Sequence, residues 1–132
     1  IDAKSTIRAD ATTTGDGGNI VVWSDNLTSF AGLITARGGS ASGNGGDVEV
    51  SGKALLNYTG FTDLTAARGS FGNLLLDPYN VTISAGSNSN SSGFTASGDD
   101  SVINATTLLT ALSAANVTVS TGSSGTQAGT KP

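Results

Sequence analysis

The chain has 132 residues, a formal net charge of −4, 19 glycines and, by count, 36 serines or threonines. It has no Cys, Met or His, which excludes a disulfide framework, zinc sites of the Cys/His kind and His-based catalysis. The pI near 4.3 argues against a nucleic-acid partner, which needs a basic stripe, and no apolar run approaches the roughly 20 residues of a membrane helix, so no membrane insertion is expected. No secretory leader is expected either, because Ile1-Asp2-Ala3-Lys4 starts in mid-pattern.

The glycine and hydroxyl content does not imply disorder, because mean hydropathy is +0.02 and the apolar residues alternate. Short β-type runs occur at Ile20-Val21-Val22-Trp23, Val48-Glu49-Val50, Leu74-Leu75-Leu76, Val81-Thr82-Ile83 and Val117-Thr118-Val119. Each is flanked by turn-forming Gly, Asn, Asp or Ser, so the expected class is all-β.

The runs repeat. Gly17-Gly18-Asn19-Ile20-Val21-Val22 matches Gly45-Gly46-Asp47-Val48-Glu49-Val50 at an offset of 28 residues, and Leu27, Phe30, Gly32 and Leu33 match Leu55, Tyr58, Gly60 and Phe61 at the same offset. Ile7-Arg8-Ala9 matches Ile34-Thr35-Ala36, Ala36-Arg37-Gly38 matches Ala67-Arg68-Gly69, and Gly46-Asp47-Val48 matches Gly72-Asn73-Leu74. A unit of about 26 to 28 residues with short strands cannot bury its own apolar face, so the repeat over residues 7–83 predicts the coils of a β-solenoid. Ile20, Val48 and Leu74 should form one inward column and Val22, Val50 and Leu76 the next, with Phe30 on Tyr58 and Leu27 on Leu55. Val21 and Glu49 should face outward. The glycine-rich stretches at 15–18, 38–46 and 69–72 should be corners that need positive φ or close approach.

Residues 84–101 read as a loop excursion around a lone Phe94. Asn104 is then a candidate N-cap for a short helix near residues 104–115. Leu108, Leu109 and Leu112 share one face of it, and Asn116 can end it in the left-handed conformation. A strand returns within residues 102–121, and residues 122–132 form a polar tail. The whole chain, 1–132, is expected to be a single solenoid segment.

These residues carry a family resemblance. Gly17 to Asp25, Ala36-Arg37-Gly38-Gly39, Gly45 to Lys53, Leu74-Leu75-Leu76-Asp77-Pro78 with Asn80-Val81-Thr82-Ile83, and Ile103 to Leu112 followed by Asn116 to Gly122 resemble filamentous haemagglutinin-type exoproteins of bacterial two-partner secretion. The resemblance implies a right-handed parallel β-helix, an extracellular or cell-surface location, and a role in adhesion, biofilm or surface filaments. The family's secretion domain carries Asn-Pro-Asn motifs and this chain has none, so the resemblance is to a shaft segment, and the abrupt start agrees with a fragment or processed piece.

No catalytic, cofactor-binding or metal-binding residue is expected. Most acidic residues sit beside Gly or at strand ends, as turn formers do. The segment Gly43 to Val48 misses the spacing of the calcium-binding nonapeptide. Asp25 and Lys53 fall one repeat apart as a weak exposed pair, and Arg37 and Arg68 nearly align at a solvated corner. Asn-x-Ser/Thr sequons stand at Asn26, Asn57, Asn80, Asn90, Asn104 and Asn116, six of ten asparagines and possible glycosylation sites, although Asn-Val-Thr is also how a strand starts after a turn. Trp23 is expected to pack in the core or at an edge, with glycan stacking as the alternative. The expected partners are adjacent coils of a full-length exoprotein or a second copy pairing end to end, with a glycan or host receptor also possible. The expected function is non-enzymatic and structural or adhesive. The alternatives are a self-assembling filament subunit and, further off, a carbohydrate-active enzyme.

Overall fold

The computed structural model describes residues 1–52, 55–77, 82–86 and 102–119. Their elements are β1 (Thr6–Arg8), β2 (Ile20–Ser24), β3 (Leu27–Phe30), β4 (Leu33–Thr35), β5 (Asp47–Gly52), β6 (Leu55–Tyr58), β7 (Phe61–Asp63), β8 (Asn73–Asp77), β9 (Thr82–Ser84), β10 (Val102–Asn104), α1 (Ala105–Leu112) and β11 (Asn116–Val119). Strands dominate and the single helix is short, so the chain is all-β. The expected tail at 122–132 and Phe94 lie outside the described residues.

The strands form four separate ladders, in the orders β1-β4-β7, β2-β5-β8-β11, β3-β6 and β9-β10. Every strand pair is parallel. Among the described residues no ladder closes on itself. The partners are the residues that the repeat aligned. Ile7 pairs with Ile34, Ile20 with Val48, Phe30 with Tyr58, Leu33 with Phe61 and Val48 with Leu74. β11 joins at a longer separation, Val117 opposite Leu74 and Val119 opposite Leu76, because the excursion and the helix intervene.

Two inward columns organise the core. Val48, Val50, Leu74 and Leu76 are buried, Ile20 is nearly so, and Val22 is half-buried on the outermost strand of its sheet. Burying a side chain of this size stabilises by about 1.5 to 3 kcal/mol. Phe30 and Tyr58 stack with ring centroids 5.8 Å apart and planes 11° apart, an arrangement worth roughly 0.5 to 1.5 kcal/mol beyond burial. Ile34, Ala36, Leu56, Leu64 and Ile103 complete the core.

Several expectations are corrected. Leu27 does pair with Leu55, but it is 53% exposed. Its neighbour Thr28 takes the inward place and satisfies its hydroxyl on the Ser51 carbonyl at 2.7 Å. The Ala36-Arg37-Gly38 and Ala67-Arg68-Gly69 motifs are not in register. Ala36 and Gly38 donate N–H to the carbonyls of Asp63 and Thr65, so the repeat keeps its longer offset here and shortens only in the following loop. Positive φ occurs at Gly15 and Gly43 alone among the described glycines. At Gly17, Gly45, Gly46 and Gly72 the requirement is close approach instead. A Cβ on Gly46 would run into the Gly18 carbonyl, and one on Gly72 into the Gly46 carbonyl.

The helix begins where expected. The Asn104 side chain accepts the Thr106 N–H at 2.8 Å. It ends differently, because Ser113 is the C-cap in right-handed geometry and Asn116 already belongs to β11. Its leucine face is not its buried face. Leu109 is 67% exposed, Leu112 is also exposed, and Leu108 is half-buried, whereas Ala111, Ala114 and Ala115 are buried. Small residues let the backbone come close enough for the Ala114 carbonyl to accept the Leu64 N–H at 2.9 Å. In the preceding repeats the equivalent N–H groups of Ala9 and Ala36 donate to the Thr35 and Asp63 carbonyls. The residue just past α1 therefore takes the place of the next strand over β7.

Val50 lies between Val22 and Leu76 in its column, while Glu49 is half-buried and accepts the Ser51 hydroxyl at 2.7 Å. Val50→Asp should lower stability by several kcal/mol, and Glu49→Ala by roughly 0.5 to 1 kcal/mol. Thermal melts of the two variants check this, and equal losses would contradict the inward assignment.

Candidate functional site

The polar side chains that do organised work in this chain lie between repeats. At the entry to β5, β8 and β11, Asp47, Asn73 and Asn116 occupy one register position. Asn73 Nδ2 donates to Asp47 Oδ1 at 2.8 Å, and Asn116 Nδ2 donates to Asn73 Oδ1 at 3.4 Å and to the Phe71 carbonyl at 3.0 Å. A second ladder joins Asp16, Asn44 and Ser70. Asp16 Oδ1 accepts the Asn44 N–H at 2.6 Å, and Asn44 Oδ1 accepts the Ser70 N–H at 2.9 Å. These side chains satisfy backbone donors that the turns leave without a strand partner.

Asp10 makes the densest cluster. It accepts the Arg37 N–H at 2.8 Å, the Arg37 guanidinium at 2.9 Å, the Thr35 hydroxyl at 3.0 Å and the Arg8 guanidinium at 3.4 Å. Burial alone would raise its pKa. The hydrogen bonds from Arg37 and Thr35 and the Arg37 charge outweigh that and hold it at about 2. Arg37 is thus an ion-pair partner across repeats rather than half of an arginine column, while Arg68 forms a backbone bridge with Gly43. Lys53 lies outside the described residues, so the expected Asp25 pair falls there too.

A cavity of about 230 Å³ opens between α1 and the β6–β7 turn. Phe61, Thr106, Thr107 and Thr110 line it, together with Tyr58 and Thr62. Tyr58 OH and Thr62 Oγ1 share a 2.6 Å hydrogen bond, and burial pushes the Tyr58 pKa up to about 12, so it stays neutral. No lining side chain is a carboxylate or a cation. Among the described residues no group of three or more Asp or Glu is placed to hold a metal ion.

The sequons fall in unlike places. Asn26 is exposed in the turn between β2 and β3, and Asn57 is half-buried within β6. The amide nitrogen of Asn104 donates to the Gly86 carbonyl at 2.9 Å, and that of Asn116 is held in the ladder above, so the atoms that would carry a sugar are in use. Asn80 and Asn90 lie outside the described residues. Trp23 is 54% exposed on the outward face of β2, contrary to the expected core or edge packing, because alternation from Ile20 and Val22 turns it out. The Asn and Asp ladders escaped sequence reading as functional units. Their signal was present in the aligned Asn19/Asp47/Asn73 and Asp16/Asn44 positions, which look like ordinary turn residues until their partners are known.

No family model matches the chain, and no curated protein or solved structure matches it either.

The depressed pKa of Asp10 sets a pH dependence. Its folded-state pKa lies below the ordinary 3.8, so its contribution is complete above about pH 4 and is lost as pH falls toward 2. Asp10→Asn should cost on the order of 1 kcal/mol at neutral pH and flatten the acid limb of stability between about pH 4 and pH 2. Chemical denaturation across that range measures both effects.

Proposed function

We propose that the chain is a β-solenoid shaft segment, a right-handed parallel β-helix of the filamentous haemagglutinin type, belonging to a secreted bacterial surface exoprotein. In this reading it performs no chemistry. It is a stiff spacer that serves adhesion or biofilm formation, with adjacent coils of the same architecture as its partners. The observation that carries the reading is the recurrence of one offset on three ladders. Residues about 26 to 28 apart pair in parallel along β1-β4-β7, β2-β5-β8 and β3-β6. Consecutive repeats that pair on every face are what a solenoid requires.

Removing a whole repeat tests the architecture. Deleting the 28 residues from Gly17 to Asn44 joins Asp16 to Gly45 at equivalent positions, and the product should keep a β-type spectrum and a cooperative melt. Deleting the 14 residues from Gly17 to Phe30 should abolish folding, because it shifts every inward residue out of its column. If both deletions fold equally well, the solenoid reading falls. Cell-surface immunolabelling of the native host and adhesion of cells to the immobilised chain test the location and role.

The second reading, a self-assembling filament subunit, draws support from the outer edge of the ladders. β1, β2 and β3 each stand at the edge of their sheet, and Val21 and Trp23 are exposed on β2. Ile1 covers β3 only in part, its N-terminal ammonium donating to the Ser29 carbonyl at 2.9 Å. Sedimentation over a concentration series should show end-to-end association if this reading holds. A strictly monomeric chain at high micromolar concentration would remove it.

A further inference from the structure

Asn44 is the only asparagine in the chain followed by glycine. That dipeptide is chemically labile. The Gly45 nitrogen, without a neighbouring Cβ to shield it, can attack the Asn44 side-chain carbonyl carbon. A new C–N bond forms, the Cγ–Nδ2 bond breaks, and the amide nitrogen leaves as ammonia with the proton from Gly45. Water then opens the succinimide ring at either carbonyl and gives aspartate or isoaspartate. No oxidant, reductant or metal takes part.

We propose that Asn44-Gly45 is a self-modification site that the fold holds unreacted, so that it acts as a covalent timer on the unfolded chain. The geometry disables both reacting groups. The Gly45 N–H donates to the Ser70 carbonyl at 3.0 Å, so deprotonating it sacrifices a hydrogen bond. The Asn44 Oδ1 accepts the Ser70 N–H at 2.9 Å, which fixes the side-chain carbonyl toward the next repeat. One residue, Ser70, thus clamps nucleophile and electrophile apart. The Asn44 N–H is held on Asp16 Oδ1 and its carbonyl on the Gly17 N–H at 2.9 Å, which pins the backbone from the other side. In the unfolded chain none of these restraints exists.

The two products differ in what they do to the fold. Asp16 already fills the equivalent position one repeat earlier and accepts the next backbone N–H through its carboxylate, so aspartate at 44 keeps the ladder. Isoaspartate routes the main chain through an additional methylene at the point of tightest approach. A Cβ on Gly45 would meet the Leu64 carbonyl and the Gly72 nitrogen, and one on Gly46 would meet the Gly18 carbonyl. There is no room there for a longer backbone, so a chain that has isomerised before folding is excluded from the native state.

The test ages the purified 132-residue chain at one mildly alkaline pH and one temperature, with and without denaturant. Peptide mapping then resolves asparagine, aspartate and isoaspartate at position 44. Loss of Asn44 should be at least about tenfold slower in the folded chain, because reaction requires local opening. After the denaturant is removed, the isoaspartate fraction should fail to regain the native melt, while Asn44→Asp made directly should fold with a near-native melting temperature. Equal rates in the two conditions would overturn the proposal. So would isoaspartate chains that refold, or an Asn44→Asp chain that does not.

Discussion

Parallel backbone hydrogen bonding between residues one repeat apart is the interaction on which the rest of this structure depends. The four-residue β3 is paired to β6 and packs on the same core as β5, and neither strand would persist alone. The pairing demands that neighbouring repeats run close along their whole length. That demand falls hardest on the turns, where no strand ladder absorbs the backbone donors. The chain answers it with glycines at Gly17, Gly45, Gly46 and Gly72, where any side chain would strike a carbonyl or a backbone nitrogen of the next repeat. It adds Asn and Asp side chains that reach across and accept the N–H groups left over.

This division of labour explains the composition. Glycine supplies close approach, while Asn, Asp, Ser and Thr supply short polar groups that stay within the spacing of two parallel strands. Even inside the core the chain tolerates threonine, provided that its hydroxyl finds a partner, as Thr28 does on Ser51 and Thr62 does on Tyr58. Long charged side chains would gain little in such an arrangement. The described exception is the Asp10–Arg37 pair, which works because Arg37 contributes its backbone N–H as well as its guanidinium. Fixing one carboxylate with two donors of a single residue costs less side-chain entropy than an ordinary surface pair.

The helix follows the same logic. It enters through an Asn cap, and beyond it Ala114 presents a carbonyl to Leu64 where a strand of the next repeat would otherwise stand. Its alanine side faces the core because a helix seated over strand edges must approach closely, and leucines there would hold it off. Immediately afterwards β11 restores the parallel ladder on β8, so the helix interrupts the strand pattern on one side of the chain while the largest sheet continues on another.

The sequence by itself determined the strand runs, the offset that pairs them and the two inward columns of Ile20, Val22 and their counterparts. Alternation and repetition are local patterns that a parallel ladder reads directly. It also determined the Asn104 cap, since a cap needs only its own next two residues. What the tertiary structure alone decided depends on neighbours far along the chain. Thr28 rather than Leu27 turns inward because its hydroxyl finds the Ser51 carbonyl, 23 residues away. Arg37 aligns with nothing in the repeat because its partner is Asp10, 27 residues earlier. The alanines rather than the leucines of the helix region are buried, because the surface that receives them is a strand edge already in place. Asn44 is an ordinary turn residue in the sequence and becomes a guarded one only when Ser70, 26 residues on, closes over it. Each of these choices is fixed by a hydrogen bond or a close packing contact between repeats, and such a contact exists only once the repeats have come together.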